Sequence, residues 1–214
     1  MNPQINALRA AVLKCARAMN ACGINRGTAG NVSARVEGGF IVTPTGMDYA
    51  QAGVEDMVFV AMDGTAEGAR KPSSEWRFHR DIYAHRSEAG AIVHTHAPFA
   101  TSLACLGMEI PPFHYMIARF GGDTVRCADY ATFGSQALSD AMLGALEGRS
   151  ACLMAQHGMT VLGRDLDQAL AHAVELEVLC EQYWRVLQIG EPRLLPPAEM
   201  AVVLQRFATY GQQY

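Results

Sequence analysis

Lysine is almost missing from this chain. Lys14 and Lys71 are the only two among 214 residues, and arginine supplies the other 15 of the 17 basic side chains. A Schiff-base mechanism needs a desolvated lysine in a pocket. Lys14 falls inside an amphipathic pattern and Lys71 directly precedes Pro72, so neither suits that role. Charge is sparse too, at 18% of residues with a net of −4 and no basic run, which argues against a dedicated nucleic-acid binder. No apolar stretch approaches the ~18–20 residues that a membrane span requires. Arg9, Lys14 and Arg17 interrupt the apolar positions of residues 1–20, so no secretory h-region is read there and a soluble cytoplasmic protein is expected. The six cysteines include no C-x-x-C pair, which counts against a disulfide framework and against a cysteine-based zinc site.

What the chain does have is core-forming material. Half of its residues are apolar, while 20 Gly and 9 Pro are close to ordinary usage, so neither disorder nor a fibrous repeat is indicated. Ile5, Leu8, Val12, Cys15 and Met19 recur every three to four residues, which predicts a helix over 3–22 closed by Gly23. Residues 31–36 and 40–43 flank Gly38-Gly39 and read as a hairpin. A further apolar run covers 57–62, and Pro72-Ser73-Ser74 has the chemistry of a helix start. Residues 91–96 suggest a buried strand and 99–106 a short helix. Two more strands are expected at 152–156 and 159–162, with His157-Gly158 between them. Asp165-Leu166-Asp167-Gln168 has capping-box form and opens a helix to about Ile189, followed after Pro192, Pro196 and Pro197 by a last helix over 198–210. Strands and helices mix without a regular β-α-β rhythm, so a single mixed α/β domain spanning 1–214 is expected.

The sharpest local feature is His94-Thr95-His96. Residues two apart on a strand point to the same face, so both imidazoles can reach one ion. His157 is the best-placed third ligand, and three histidines with an exchangeable position form a catalytic zinc pattern; an ordinary pair of half-buried histidines is the competing reading. His79, His85 and His172 fall in predicted helices and read as surface or packing residues, while His114 stays open. Three loops of small polar residues stand out as well: Gly27-Thr28-Ala29-Gly30-Asn31, Thr43-Pro44-Thr45-Gly46 and Pro72-Ser73-Ser74-Glu75. Each combines free backbone amides with short donors, as a phosphate cradle requires, although each alone could be a turn or a helix cap. Neither of the first two has the spacing of a Walker or dinucleotide-binding loop.

Taken in order, the segments GTAGNVSAR (27–35), TPTG (43–46), KPSSEWRFH (71–79), VHTHA (93–97), HYMIA (114–118), YATFGS (130–135) and QHGM (156–159) resemble the class II aldolase/adducin family from about Leu8 to Tyr210. The resemblance implies an α/β/α domain and a metal-dependent lyase. Such an enzyme reversibly cleaves a ketose or deoxy-ketose 1-phosphate to dihydroxyacetone phosphate and a small aldehyde. It implies one zinc per subunit, with manganese, iron or cobalt as substitutes, held by His94, His96 and His157, with Glu75 as both fourth ligand and base. Phosphate is expected among Gly30, Asn31, Thr45, Gly46, Ser73 and Ser74. Tyr115 is expected to act as an acid at a neighbouring subunit's site in a homotetramer, and Tyr210 to assist. The substrates implied are L-fuculose, 5-deoxyribulose and 5-methylthioribulose 1-phosphates, the last placing the chain in methionine salvage. Arg119, Phe120 and Phe133 are candidates for the aldehyde end, with packing roles as the alternative for the two phenylalanines. Within the same superfamily, a ribulose-phosphate 4-epimerase, which carries Asp where this chain has Glu75, a methylthioribulose-1-phosphate dehydratase and an adducin-like binding module remain alternatives.

Overall fold

The three-to-four spacing near the start of the chain forms helix α1 (Pro3–Ala21), which buries Val12, Leu13, Cys15, Ala16 and Met19. In the computed structural model, residues 3–207 are described, so Tyr210 lies outside the described residues. Eight strands follow: β1 (Asn31–Val36), β2 (Gly39–Val42), β3 (Val58–Ala61), β4 (Ala66–Glu67), β5 (Ala91–Thr95), β6 (Cys127–Ala128), β7 (Ala151–Met154) and β8 (Gly158–Gly163). They make one sheet in the order β4-β3-β2-β1-β5-β8-β7-β6. Every pairing is antiparallel except β6 with β7.

The remaining helices are α2 (Trp76–His85), α3 (Pro98–Cys105), α4 (Gln136–Ala145), α5 (Leu166–Ile189) and α6 (Pro197–Phe207). Period-two side-chain alternation sorts the strands into two cores. Val32, Ala34, Val93 and Val161 join the core beneath α1, α3, α5 and α6. Phe40, Val42, Ile92 and Cys152 join the core beneath α2 and α4. The result is helix–sheet–helix layering, as the sequence implies. Helix α3 carries no capping side chain of its own. Instead Glu177 of α5 accepts hydrogen bonds from the Phe99 and Ala100 amides at 2.8 and 2.9 Å.

Two local expectations change. Helix α2 begins at Trp76 rather than at Pro72, because the Ser73 amide donates to Thr43 O and the Thr45 amide donates to Lys71 O. Residues 71–73 therefore run extended beside the Thr43–Thr45 segment, with Pro44 and Pro72 in a β-bridge. Helix α4 was not anticipated, although Leu138, Met142 and Ala145 follow helical spacing behind Ser135, whose hydroxyl accepts from the Leu138 amide.

Candidate active site

The sheet centre assembles the histidines. In β5, Ala91 and Val93 turn toward one core while Ile92 turns toward the other, and His94 shares the side of Ile92 with its ring edge on Phe78. His96 follows two residues later, just past the strand end, and meets His94 at a centroid distance of 5.1 Å. The turn between β7 and β8 brings in His157, 4.9 Å from both rings. One nitrogen from each histidine lies within 4.8 Å of the others. Close approach requires Gly158 here, since a Cβ at that position would stand 2.5 Å from Thr95 O and 3.1 Å from the His96 ring.

Glu75 caps the start of α2 and turns its buried carboxylate into this cluster. Oε2 stands 3.1 Å from His94 Nε2, and Oε1 stands 3.2 Å from His157 Nε2. The His94 Nδ1–H donates to Met159 O at 3.0 Å, which leaves Nε2 as the free lone pair. His94 Nε2, His96 Nε2 and Glu75 Oε1 are all buried without a hydrogen-bond partner. A carboxylate facing an imidazole lone pair at this distance requires positive charge between them. Burial alone raises the Glu75 carboxyl, but positive charge on the side of His94 and His157, whether a proton or an ion, outweighs it and holds the group well below the ordinary carboxylate range. Burial pushes His96 down to about 4, which keeps it neutral and able to ligate. Three imidazole nitrogens and a carboxylate in such reach suit a four-coordinate zinc ion, so the residues present fit that group.

Above the cluster opens a cavity of about 400 Å³. The paired 43–45 and 71–73 segments bring Thr45, Gly46 and Ser74 to one part of its wall, beside Thr28 and Ala29. Gly30, Asn31 and Ser73, expected with them, are buried residues that do not line the cavity. The Gly30 amide donates to Asn25 Oδ1, its carbonyl accepts from the Tyr49 hydroxyl, and Ser73 Oγ accepts from the Glu75 amide. The other wall carries Tyr130, Ala131 and Phe133, with the two aromatic rings 63% and 66% exposed. Phe120 is absent from it: the residue is fully buried, edge-on to His172, which settles it as packing.

Tyr115 sits in a short 3-10 helix, Tyr115–Phe120, half exposed and stacked on Phe207 at 6.4 Å, and it does not line this chain's cavity. His114 caps that helix by accepting from the Met116 amide. Sequence reasoning missed three features. Gln156 lines the cavity with a left-handed backbone, φ 51°. Tyr130, from the YATFGS segment, lines the cavity beside Phe133. His79, read as surface or packing, is fully buried within polar contacts to Asn31 and Ser33.

Residues 10–184 match the family described as Class II Aldolase and Adducin N-terminal domain, and the chain belongs to that family. It is 54% identical over 205 residues to a 5-methylthioribulose-1-phosphate/5-deoxyribulose-1-phosphate aldolase of Rhodospirillum rubrum, covering 96% of this chain and 93% of the relative. It is 42% identical to an L-fuculose phosphate aldolase of Escherichia coli K12, covering 96% of each. Among solved structures, an L-fuculose 1-phosphate aldolase superposes with a TM-score of 0.91 at 35% identity, covering 94% of this chain and 96% of that one. The protein is thus an enzyme of the lyase class.

Proposed function

We propose that this enzyme cleaves a deoxy-ketose 1-phosphate, with 5-methylthioribulose and 5-deoxyribulose 1-phosphates favoured over L-fuculose 1-phosphate. The observation that carries this reading is the Glu75 carboxylate poised over three convergent histidines at the floor of a cavity that has one polar and one aromatic wall. His94, His96 and His157, with Glu75 as an exchangeable fourth ligand, would hold one zinc ion. Bound there, zinc supplies a Lewis acid for the negative charge that develops on the ketose oxygens.

The chain's own residues supply the rest. Glu75 takes the proton of the C4 hydroxyl as the C3–C4 bond breaks, and C4 leaves as the aldehyde carbonyl. The electron pair of that bond stays with the dihydroxyacetone phosphate half, whose carbon is then protonated. Ser74, Thr45 and Gly46 orient the phosphate, with Gly30, Asn31 and Ser73 shaping the loops behind them. Tyr130 and Phe133 offer an apolar end suited to a methyl or thioether terminus, which supports the substrate preference and a place in methionine salvage. The partner subunit's Tyr115 serves as the acid within a homotetramer, and Tyr210 assists. We place the enzyme in the cytoplasm; no helix among the described residues is long and apolar enough to cross a membrane.

The test is dihydroxyacetone phosphate release from fuculose, rhamnulose, 5-deoxyribulose and methylthioribulose 1-phosphates, with and without chelator. Chelator-sensitive release ranked toward the apolar termini is expected. Silence from zinc-loaded enzyme overturns the aldolase reading, and a fuculose optimum overturns the substrate preference.

A further inference from the structure

Strand β1 and helix α2 meet in a ladder that ends at Glu75. Asn31, Ser33 and Arg35 alternate onto one side of the strand, while Glu75, His79 and Tyr83 recur every fourth residue on one side of the helix. Asn31 Nδ2 donates to Glu75 Oε2 at 2.9 Å. Asn31 Oδ1 lies 2.5 Å from His79 Nε2, His79 Nδ1 lies 2.7 Å from Ser33 Oγ, and Ser33 Oγ lies 2.8 Å from the Tyr83 hydroxyl. Arg35 closes the series by stacking over the Tyr83 ring at 4.7 Å. Ser33 and His79 are fully buried, and Asn31, Glu75 and Tyr83 nearly so.

The chemistry of each group fixes the direction of every proton. An ionised carboxylate only accepts, so the Asn31 amide must turn its NH₂ toward Glu75 and its carbonyl toward His79. That carbonyl only accepts, so His79 must carry its proton on Nε2. Burial pushes the His79 ring down to about 3, so Nδ1 stays bare and accepts from the Ser33 hydroxyl. Ser33 then has only a lone pair to offer Tyr83, whose hydroxyl donates. Reversing any one member strands a buried donor or acceptor, which folding disfavours.

We propose that His79 and Ser33 are positioning residues that hold the Asn31 amide in the one orientation able to donate to Glu75, and so aim the carboxylate between the metal and the substrate. The inference rests on Glu75 being the base. It gives the buried histidine a role that neither metal ligation nor plain packing explains.

Two measurements test it, and the first does not depend on activity. Imidazole ¹⁵N spectra of the metal-free protein should show His79 as the Nε2–H tautomer, with Nδ1 shifted as a hydrogen-bonded acceptor. The Nδ1–H tautomer would overturn the proposal. The second compares H79F with H79Q, whose side-chain amide can still donate to Asn31 Oδ1. For H79F, kcat should fall about 10–100-fold with KM and zinc content little changed, and H79Q should recover most of that loss. Equal losses in both variants, or a loss confined to KM or to zinc content, would overturn it. A wild-type enzyme that releases no dihydroxyacetone phosphate would instead remove the reading of Glu75 as base, while the tautomer could still be as stated.

Discussion

At the scale of single residues, Glu75 has three neighbours that set its behaviour: the Asn31 amide and the Nε2 atoms of His94 and His157. Glu75→Gln keeps an oxygen for ligation and removes the basic lone pair. It should retain zinc while turnover falls by about 10²–10⁴-fold, the range of a lost general base. Metal analysis beside a turnover assay checks this, and retained turnover would mean that another group carries the proton. His94→Ala should lose zinc and activity together, because two neutral imidazoles seldom hold a catalytic ion. Gly158→Ala is the less obvious change. Its Cβ would meet Thr95 O, so the β5–β8 pairing that carries His96 and His157 must shift. Zinc affinity should fall about 10–100-fold, and stability by about 1–3 kcal/mol. Unchanged metal binding in a zinc titration would show that the strand ends yield without moving the ligands.

At the scale of elements, α2 holds Glu75, the proposed base, at its N-terminal cap and must itself be held against its neighbours. Asp81 does much of this: its carboxylate accepts from Ser139 Oγ and Gln136 Nε2 of α4 at 2.7 Å each, and from Arg80 Nε at 2.7 Å. Burial opposes its charge, yet those three donors hold the carboxyl below the ordinary aspartate range. A depressed carboxyl stabilises the fold above its unfolded pKa, about 4, and that contribution disappears as pH falls through the lower folded value. Asp81→Ala should therefore cost about 1.5–3 kcal/mol at pH 7, the range for hydrogen bonds to a charged group, and the deficit should shrink toward pH 3. Urea midpoints of both proteins across that range decide it. A constant deficit would point to lost packing instead of charge. Elements also mark how far the sequence could be read. Period two made His94 and His96 legible as a pair, and period 3.6 made α1 and α5 legible. The join of the Thr43–Thr45 and Lys71–Ser73 segments was not, because backbone hydrogen bonds between distant segments leave no local pattern. The β1–α2 ladder was hidden for the same reason. Asn31, Ser33, His79 and Tyr83 become partners only through the register of strand against helix, so His79 resembled any other helical histidine.

At the scale of the whole molecule, the chain presents a three-histidine cluster, the proposed base and a cavity, while its exposed acid candidate stands outside that cavity. Tyr115 is half exposed, rests on Phe207 and is not among the residues that line this chain's cavity beside Glu75. A site completed by a second copy accounts for that placement, and closed symmetry would then repeat the exchange at every interface. Subunit complementation follows directly. Glu75→Gln should be inactive for want of the base and Tyr115→Phe strongly impaired for want of the acid, each lesion lying on one side of an interface. Equal amounts of the two variants, co-assembled at random, place an intact Glu75 against an intact neighbouring Tyr115 at about one site in four. Activity of the mixture should therefore rise to roughly a quarter of the wild-type value, well above the mean of the two parents. Assaying the parents separately, then after dissociation and joint reassembly, gives the comparison. If the mixture equals the average of its parents although exchange is verified by mass, Tyr115 acts within its own chain or not at all, and the neighbour contributes no acid.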